Sequence, residues 1–497
     1  MKSEHQCKSV PDKSVRTQTS PQASGSEQAT TVIDQRGYDV WYVAGVAFLA
    51  SAGGFLFGYA LVIIAGALPF IVRDFSLSPA MAGWATSAAI FGAILGPLAG
   101  LWFADLIGRR RTMMLSAATF LISTIGCALA PTIDQFALYR LVGGVGVGLA
   151  MISCPIYIAE LSPAKLRGVL VNVNQLVGVV GINLAVIVSY VIAKYYGGWR
   201  PMFASQGVPV AILILGLLVV PESPRWLAAK GHKARALAVL KRINGSGSAE
   251  RELEEIIQDV NSSASGIAEV FRPYCRRPLL ISIFLMVFSQ VNGVNMMLLY
   301  APTILHAAGV SFGSDAVLSA LPIYLAIFIA TILSFPLIHR FSRRAILIGS
   351  TLGMAASHLC MSALLVLRAP GIYLLLPMIS GATTFTLGLA PLSWIIVSEI
   401  FPNRVRSAAL AVVCVFLFGS SFLTAQLFPM AMDWLRQTTG TPAGMYVIFA
   451  LICISCALFV WRMMPETKGI TLEEMGAFWR REAAARSERG SSRDSQI

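Results

Sequence analysis

Charge is scarce in this sequence. Asp, Glu, Lys and Arg make up 13% of its 497 residues, whereas 56% are hydrophobic. Ordinary soluble domains carry about twice that charged share, so a soluble globular chain is excluded. Cysteine offers no framework either. Of the eight cysteines only Cys453 and Cys456 stand at CxxC spacing, and these two lie with Cys127, Cys154, Cys360 and Cys414 in apolar stretches, where small buried thiols are ordinary. Neither a disulfide scaffold nor a metal site is indicated, and no cofactor is expected. The apolar stretches hold no paired Asp or His-rich cluster, which argues against an intramembrane enzyme. Residues 1–38 are polar and lack the apolar core of a signal peptide. They read as a disordered cytoplasmic tail, and residues 467–497 as a cytoplasmic C-terminal tail that is disordered after about residue 480.

What the sequence has in abundance is long apolar runs. A hydrocarbon core needs about 20 consecutive, mostly apolar residues per helix. Twelve runs meet that length, near 42–67, 80–104, 113–131, 135–159, 169–193, 202–220, 279–305, 317–339, 345–367, 371–397, 407–432 and 443–463. The class implied is an all-α membrane protein of twelve transmembrane helices. The net charge of +13 is distributed accordingly. With both termini cytoplasmic, the inside loops hold twenty Lys and Arg and the outside loops five: Arg73, Lys194, Arg200, Arg368 and Arg436. That asymmetry fixes the orientation. It also makes nucleic acid an unlikely partner, since the basic residues serve topology rather than one binding face.

The twelve runs divide six and six, into residues 39–221 and 278–466, around a polar segment at 222–277. Within that segment two amphipathic stretches, Lys233–Ile243 and Ala249–Val260, flank Asn244-Gly245-Ser246-Gly247. The break predicts short helices against the cytoplasmic face. The halves also echo one another. Glu160 and Arg167 follow the fourth run as Glu399 and Arg406 follow the tenth. Gly108-Arg109-Arg110 follows the second run as Ser342-Arg343-Arg344 follows the eighth. Repetition at half-chain distance marks a duplicated transporter with its site between the halves.

Several motifs in fixed order carry a resemblance over about residues 45–475. They are Gly108-Arg109-Arg110, Tyr157 to Glu160 with Arg167-Gly168, Pro221-Glu222 with Arg225-Trp226, Gln290 to Asn295, and Pro465-Glu466 to Gly469. On these the chain resembles the sugar porter family of the major facilitator superfamily, which has both proton-coupled and facilitative members. The resemblance implies two pseudo-symmetric six-helix halves, a small-molecule sugar as cargo and alternating access in the lipid bilayer. A monomer is expected.

Amides inside apolar helices are costly unless partnered. Gln175, Gln290 and Asn295 are such amides. Helix–helix hydrogen bonding is the plainer role for them, but the resemblance implies that they bind sugar hydroxyls together with Trp394, with Phe385 a second wall. On one continuous helix Gln290 and Asn295 stand about 140° apart, so both can border a cavity without sharing a stripe. Leu417 and Phe418 stand where related carriers place an amide and a tryptophan, which removes polar contacts on that side. Glu160, Arg167, Glu399 and Arg406, with Arg109, Arg110, Glu222 and Arg225, form a cytoplasmic charge network. It either sets topology alone or pairs across the halves to latch the inner gate, and the latch is preferred because the pattern occurs twice.

Arg140 lies within the fourth run, followed by Gly143, Gly144, Gly146 and Gly148. An intramembrane arginine is usually functional, and the glycines suit close helix packing. In proton-coupled members the arginine faces an aspartate, whose place Ala60 takes here; Gln206 takes the place of a second acid. No Asp or Glu lies at mid-depth in any run. Facilitated diffusion is therefore expected, with a proton-coupled sugar or inositol symporter as the alternative. His358 is the one substitute titrating group, and a packed or lipid-facing histidine is the plainer reading. A non-transporting sugar sensor is less favoured, because the tail after Pro465 is short.

Overall fold

The computed structural model describes residues 40–466 except 164–165, 245–247, 263–266, 310–313, 402–404 and 465. The two tails read from the sequence lie outside these residues, as does the side chain of Arg167. Among the described residues, twelve helices are long and apolar enough to cross a membrane. In the first half they are α1 (Tyr42–Phe75), α2 (Pro79–Ile107), α3 (Arg109–Leu129), α4 (Ile133–Leu161), α5 (Val173–Tyr195) and α6 (Arg200–Val219). In the second they are α7 (Pro273–Leu299), α8 (Val317–Arg340), α9 (Arg343–Val366), α10 (Gly371–Ile400), α11 (Ala408–Thr439) and α12 (Ala443–Met463). The twelve helices expected from the apolar runs are present.

Local sequence explains where these helices start and how closely they pack. Ser78 caps α2, its Oγ accepting from the Met81 N–H, with Pro79 as the first helical residue. Thr132 caps α4 in the same way, accepting from the Gln135 N–H. The glycines of α4 let it lie directly on α2: a Cβ at Gly144 would meet the backbone oxygen of Ala89. Outward-facing positions are apolar, among them Phe48, Leu95, Leu184, Leu333 and Leu451, as a hydrocarbon solvent requires. Exposed Trp102, Trp434 and Trp461 stand near helix ends, where indoles suit the headgroup layer.

The segment between the halves forms helices at Pro224–Ala229, Lys233–Asn244 and Ala249–Ser262. Leu227, Ala236, Leu240, Ala249 and Leu253 pack into a small core of their own. The Trp226 indole donates to the Asp105 oxygen at 3.0 Å, docking this segment on the end of α2. The side to which it and the loops at Arg109–Arg111 and Arg343–Arg344 belong is called the basic face below.

Candidate functional site

The α7 helix is not continuous. Gly293 adopts φ 86°, a left-handed conformation that glycine alone adopts readily, and a Cβ there would collide with the Phe449 ring. The break is held by its neighbours. The Asn292 side chain donates to the backbone oxygens of Phe288 (3.0 Å) and Ser289 (2.7 Å), and its Oδ1 accepts from the Val294 N–H at 2.9 Å. From α9, His358 Nε2 lies 2.7 Å from the Asn292 backbone oxygen. Rings of Tyr446 and Phe449 flank that imidazole, so His358 is a packed histidine rather than a lipid-facing one.

The break corrects the helical-wheel geometry expected for the amides. Asn295 Nδ2 donates to Gln290 Oε1 at 2.9 Å, a contact that a 140° separation on one straight helix would forbid. The left-handed residue between them turns the two side chains together. Both are half-buried, whereas Gln175 is exposed. On α5 the exposed Val180, Leu184, Ile187 and Val191 lie about 120–180° around the helix from Gln175. Gln175 is thus exposed on the side of α5 away from these apolar positions. Trp394 and Phe385 are half-buried and packed on the core. They flank a second break in a membrane helix, at Gly388 of α10.

A second polar centre surrounds Arg140. The guanidinium is buried, with Nη1 donating to the Ala60 backbone oxygen at 3.2 Å and the Phe203 ring 5.6 Å away. It lines a cavity of about 40 Å³ with Ala60, Thr86, Ser123 and Gln206 from the first half and Leu299 and Phe418 from the second. Among the described residues no carboxylate lines this cavity.

On the side opposite the basic face, Gln426 of α11 ties the two halves together. Its Oε1 accepts from Ser87 Oγ at 2.8 Å, and its Nε2 donates to the Ala80 oxygen at 3.0 Å. Sequence reasoning missed this residue, although an amide within an apolar run is the same signal that singled out Gln290.

At the basic face the two halves repeat one another in atomic detail. Arg109 pairs with Asp105 at 3.0 Å and Glu160 at 3.1 Å; Arg343 pairs with Glu399 at 2.6 Å. The Arg110 N–H donates to Glu222 at 3.0 Å, and its side chain caps Leu217 and Leu218 at the end of α6. The Arg344 N–H likewise donates to Glu466 at 3.4 Å, and its side chain caps Trp461 at the end of α12. Glu160 also accepts from Ser223 Oγ at 2.5 Å. Arg225 is half-buried at the start of the linker. In this conformation Glu160 and Glu399 each bind an arginine of their own half. Arg406 differs: its Nε and Nη2 are buried without a hydrogen-bond partner. Burial holds its guanidinium below the usual range, and the charge of Glu399 opposes that shift.

Known proteins share this sequence and architecture. Residues 46–479 match the family model described as "Sugar (and other) transporter". The D-xylose-proton symporter of Escherichia coli (strain K12) is 32% identical, covering 89% of this chain and 96% of its own length. The arabinose-proton symporter of Bacillus subtilis (strain 168) is 33% identical with the same coverage. The xylose transporter of E. coli in its inward-open conformation superposes with a TM-score of 0.77 at 31% identity. That match covers 88% of this chain and all of the other.

Proposed function

The chain belongs to the sugar (and other) transporter family, and we propose that it carries a monosaccharide, a pentose or hexose, by facilitated diffusion. The cargo would cross a cell membrane by alternating access through a monomer whose termini and basic face are cytoplasmic. The loop charges support that orientation. Gln175, Gln290 and Asn295, with Trp394 and Phe385 as walls, form the sugar site. Amides suit a neutral polyol because each offers both donor and acceptor. A handful of hydrogen bonds at about 1 kcal/mol each gives about −4 to −6 kcal/mol, a millimolar to tens-of-micromolar affinity. A carrier releases its cargo readily at that strength.

The observation that carries the uniport reading is the surroundings of Arg140. Its cavity presents Ala60 and Gln206 in the places where the resemblance puts the acids of coupled carriers. Protons couple to transport only if protonation changes the interaction between conformations, and neither side chain titrates. His358, the other candidate, holds the Asn292 carbonyl. Symport is the second reading, favoured by relatives named as xylose-proton and arabinose-proton symporters.

The charge network supplies the inner latch. With the cytoplasmic side shut, Glu160 and Glu399 meet Arg406 and Arg167 across the halves; with it open, they return to Arg109 and Arg343. Liposomes containing the purified protein and a panel of labelled pentoses, hexoses and inositols test the whole reading. Uniport requires equilibration to equal concentrations and no accumulation under an imposed pH gradient. Accumulation that collapses with a protonophore would establish symport.

A further inference from the structure

Among the described residues, Arg140 is an intramembrane cation with no carboxylate as counter-charge. Its relative exposure is 5%, and a guanidinium does not lose its proton in proteins. Its direct protein contacts are the Ala60 carbonyl and the face of Phe203, each a partial charge only. Among the described residues neither Nε nor Nη2 has a protein acceptor, and Nε is fully buried. None of the fifteen residues lining the adjoining cavity is acidic. An unpaired charge at this depth is strongly unfavourable, and such charges are balanced by pairing.

We propose that the Arg140 cavity binds a small monovalent anion, a halide such as chloride, as the counter-charge. The size fits: the cavity's about 40 Å³ exceeds the roughly 10–15 Å³ that one bound water needs, so a monatomic ion can enter. The chemistry fits as well. The guanidinium supplies the charge, the Gln206 carboxamide supplies N–H donors, and Phe57, Leu61, Ile90 and Phe120 give apolar walls that disfavour a doubly charged, strongly hydrated ion such as sulfate. A halide balances Arg140 at every pH, whereas a carboxylate titrates. The inference rests on the same carboxylate-free site as the uniport reading. Its readout is stability rather than flux, so either can fail alone.

Thermal unfolding of the purified full chain in nanodiscs is measured in gluconate, sulfate, chloride and bromide at matched ionic strength, with chloride-35 NMR line broadening as direct evidence of binding. Chloride and bromide are expected to raise the Tm saturably, and gluconate and sulfate to leave it unchanged. Ala60→Asp places a carboxylate beside Arg140; it is expected to raise the Tm in gluconate and abolish the halide response. Arg140→Gln is expected to remove both the response and the line broadening. Equal Tm in all four salts without line broadening overturns the proposal. So does a halide response that persists in either variant, because the ion then binds elsewhere.

Discussion

His358 Nε2 lies 2.7 Å from the backbone oxygen of Asn292, the carbonyl at the point where α7 breaks. A carbonyl at a helix end has no intrahelical donor, and inside a membrane water does not replace it. One imidazole on α9 therefore stabilises the bend that brings Gln290 and Asn295 together. His358→Ala leaves the buried Asn292 carbonyl only the weak Cys453 thiol donor at 3.7 Å and should cost about 1–3 kcal/mol of stability. It should also weaken sugar binding, although the side chain sits one carbonyl away from the amides. His358→Gln keeps a donor and should recover part of both losses. Thermal unfolding and equilibrium binding in detergent check this. Normal affinity in a folded His358→Ala variant would remove His358 from any role in positioning the site.

The amides themselves should behave as a coupled set. Gln290→Ala, Asn295→Ala and Gln175→Ala are each expected to weaken sugar binding by about 1–3 kcal/mol. Because Gln290 and Asn295 bond to each other at 2.9 Å, their double variant should lose less than the sum of the singles. Gln175 shares no such bond, and its effect should add to theirs. Isothermal titration with the transported sugar measures the three single variants, the double variant and the triple. Unchanged affinity throughout would assign these amides to packing.

These two residues also mark the limit of what the sequence revealed. Apolar run length alone located all twelve helices, because hydrocarbon thickness imposes one length on every span. The repeats at Arg109 and Arg343, and at Glu160 and Glu399, were legible because a duplicated chain duplicates its loops. Asn292-Gly293 is a turn-forming dipeptide, but the surrounding apolar run reads as a straight helix, and that reading passed over the dipeptide and gave the wrong relation between Gln290 and Asn295. The His358 contact joins residues 66 positions apart, and no local pattern encodes such a distance. Gln426 was legible in type but not in partner, since Ser87 lies 339 positions away.

Arg406 gives the cleanest test of the inner latch. Glu160 and Glu399 already hold arginines in this conformation, so removing either acid disturbs more than one state. Arg406 leaves Nε and Nη2 unpartnered here, and gains partners only if the basic face closes. Arg406→Gln should therefore penalise the closed-inside state selectively and shift the population toward the open one. A cysteine introduced in the basic-face vestibule should then react faster with a membrane-impermeant thiol reagent applied from that side. Unchanged labelling of the folded variant would reduce the network to a determinant of topology.

Gln426 makes the opposite prediction at the other side of the membrane. Its bonds to Ser87 Oγ and the Ala80 oxygen, at 2.8 and 3.0 Å, join α11 to α2. Gln426→Leu removes both while keeping a side chain of similar volume. At about 1 kcal/mol per bond, the loss of about 2 kcal/mol corresponds to roughly a 30-fold change in the equilibrium between the two openings. The variant should expose the face opposite the basic one, so that a cysteine near Ser87 labels faster from that side. Combining Gln426→Leu with Arg406→Gln weakens the seals at both ends. The two sites lie about 20 residues apart along α11, some 30 Å at 1.5 Å per residue, so their effects should add and return the balance toward that of the parent. If Gln426→Leu leaves labelling from the opposite face unchanged, the closed state there is held by apolar packing between α2 and α11, and this amide is a passenger.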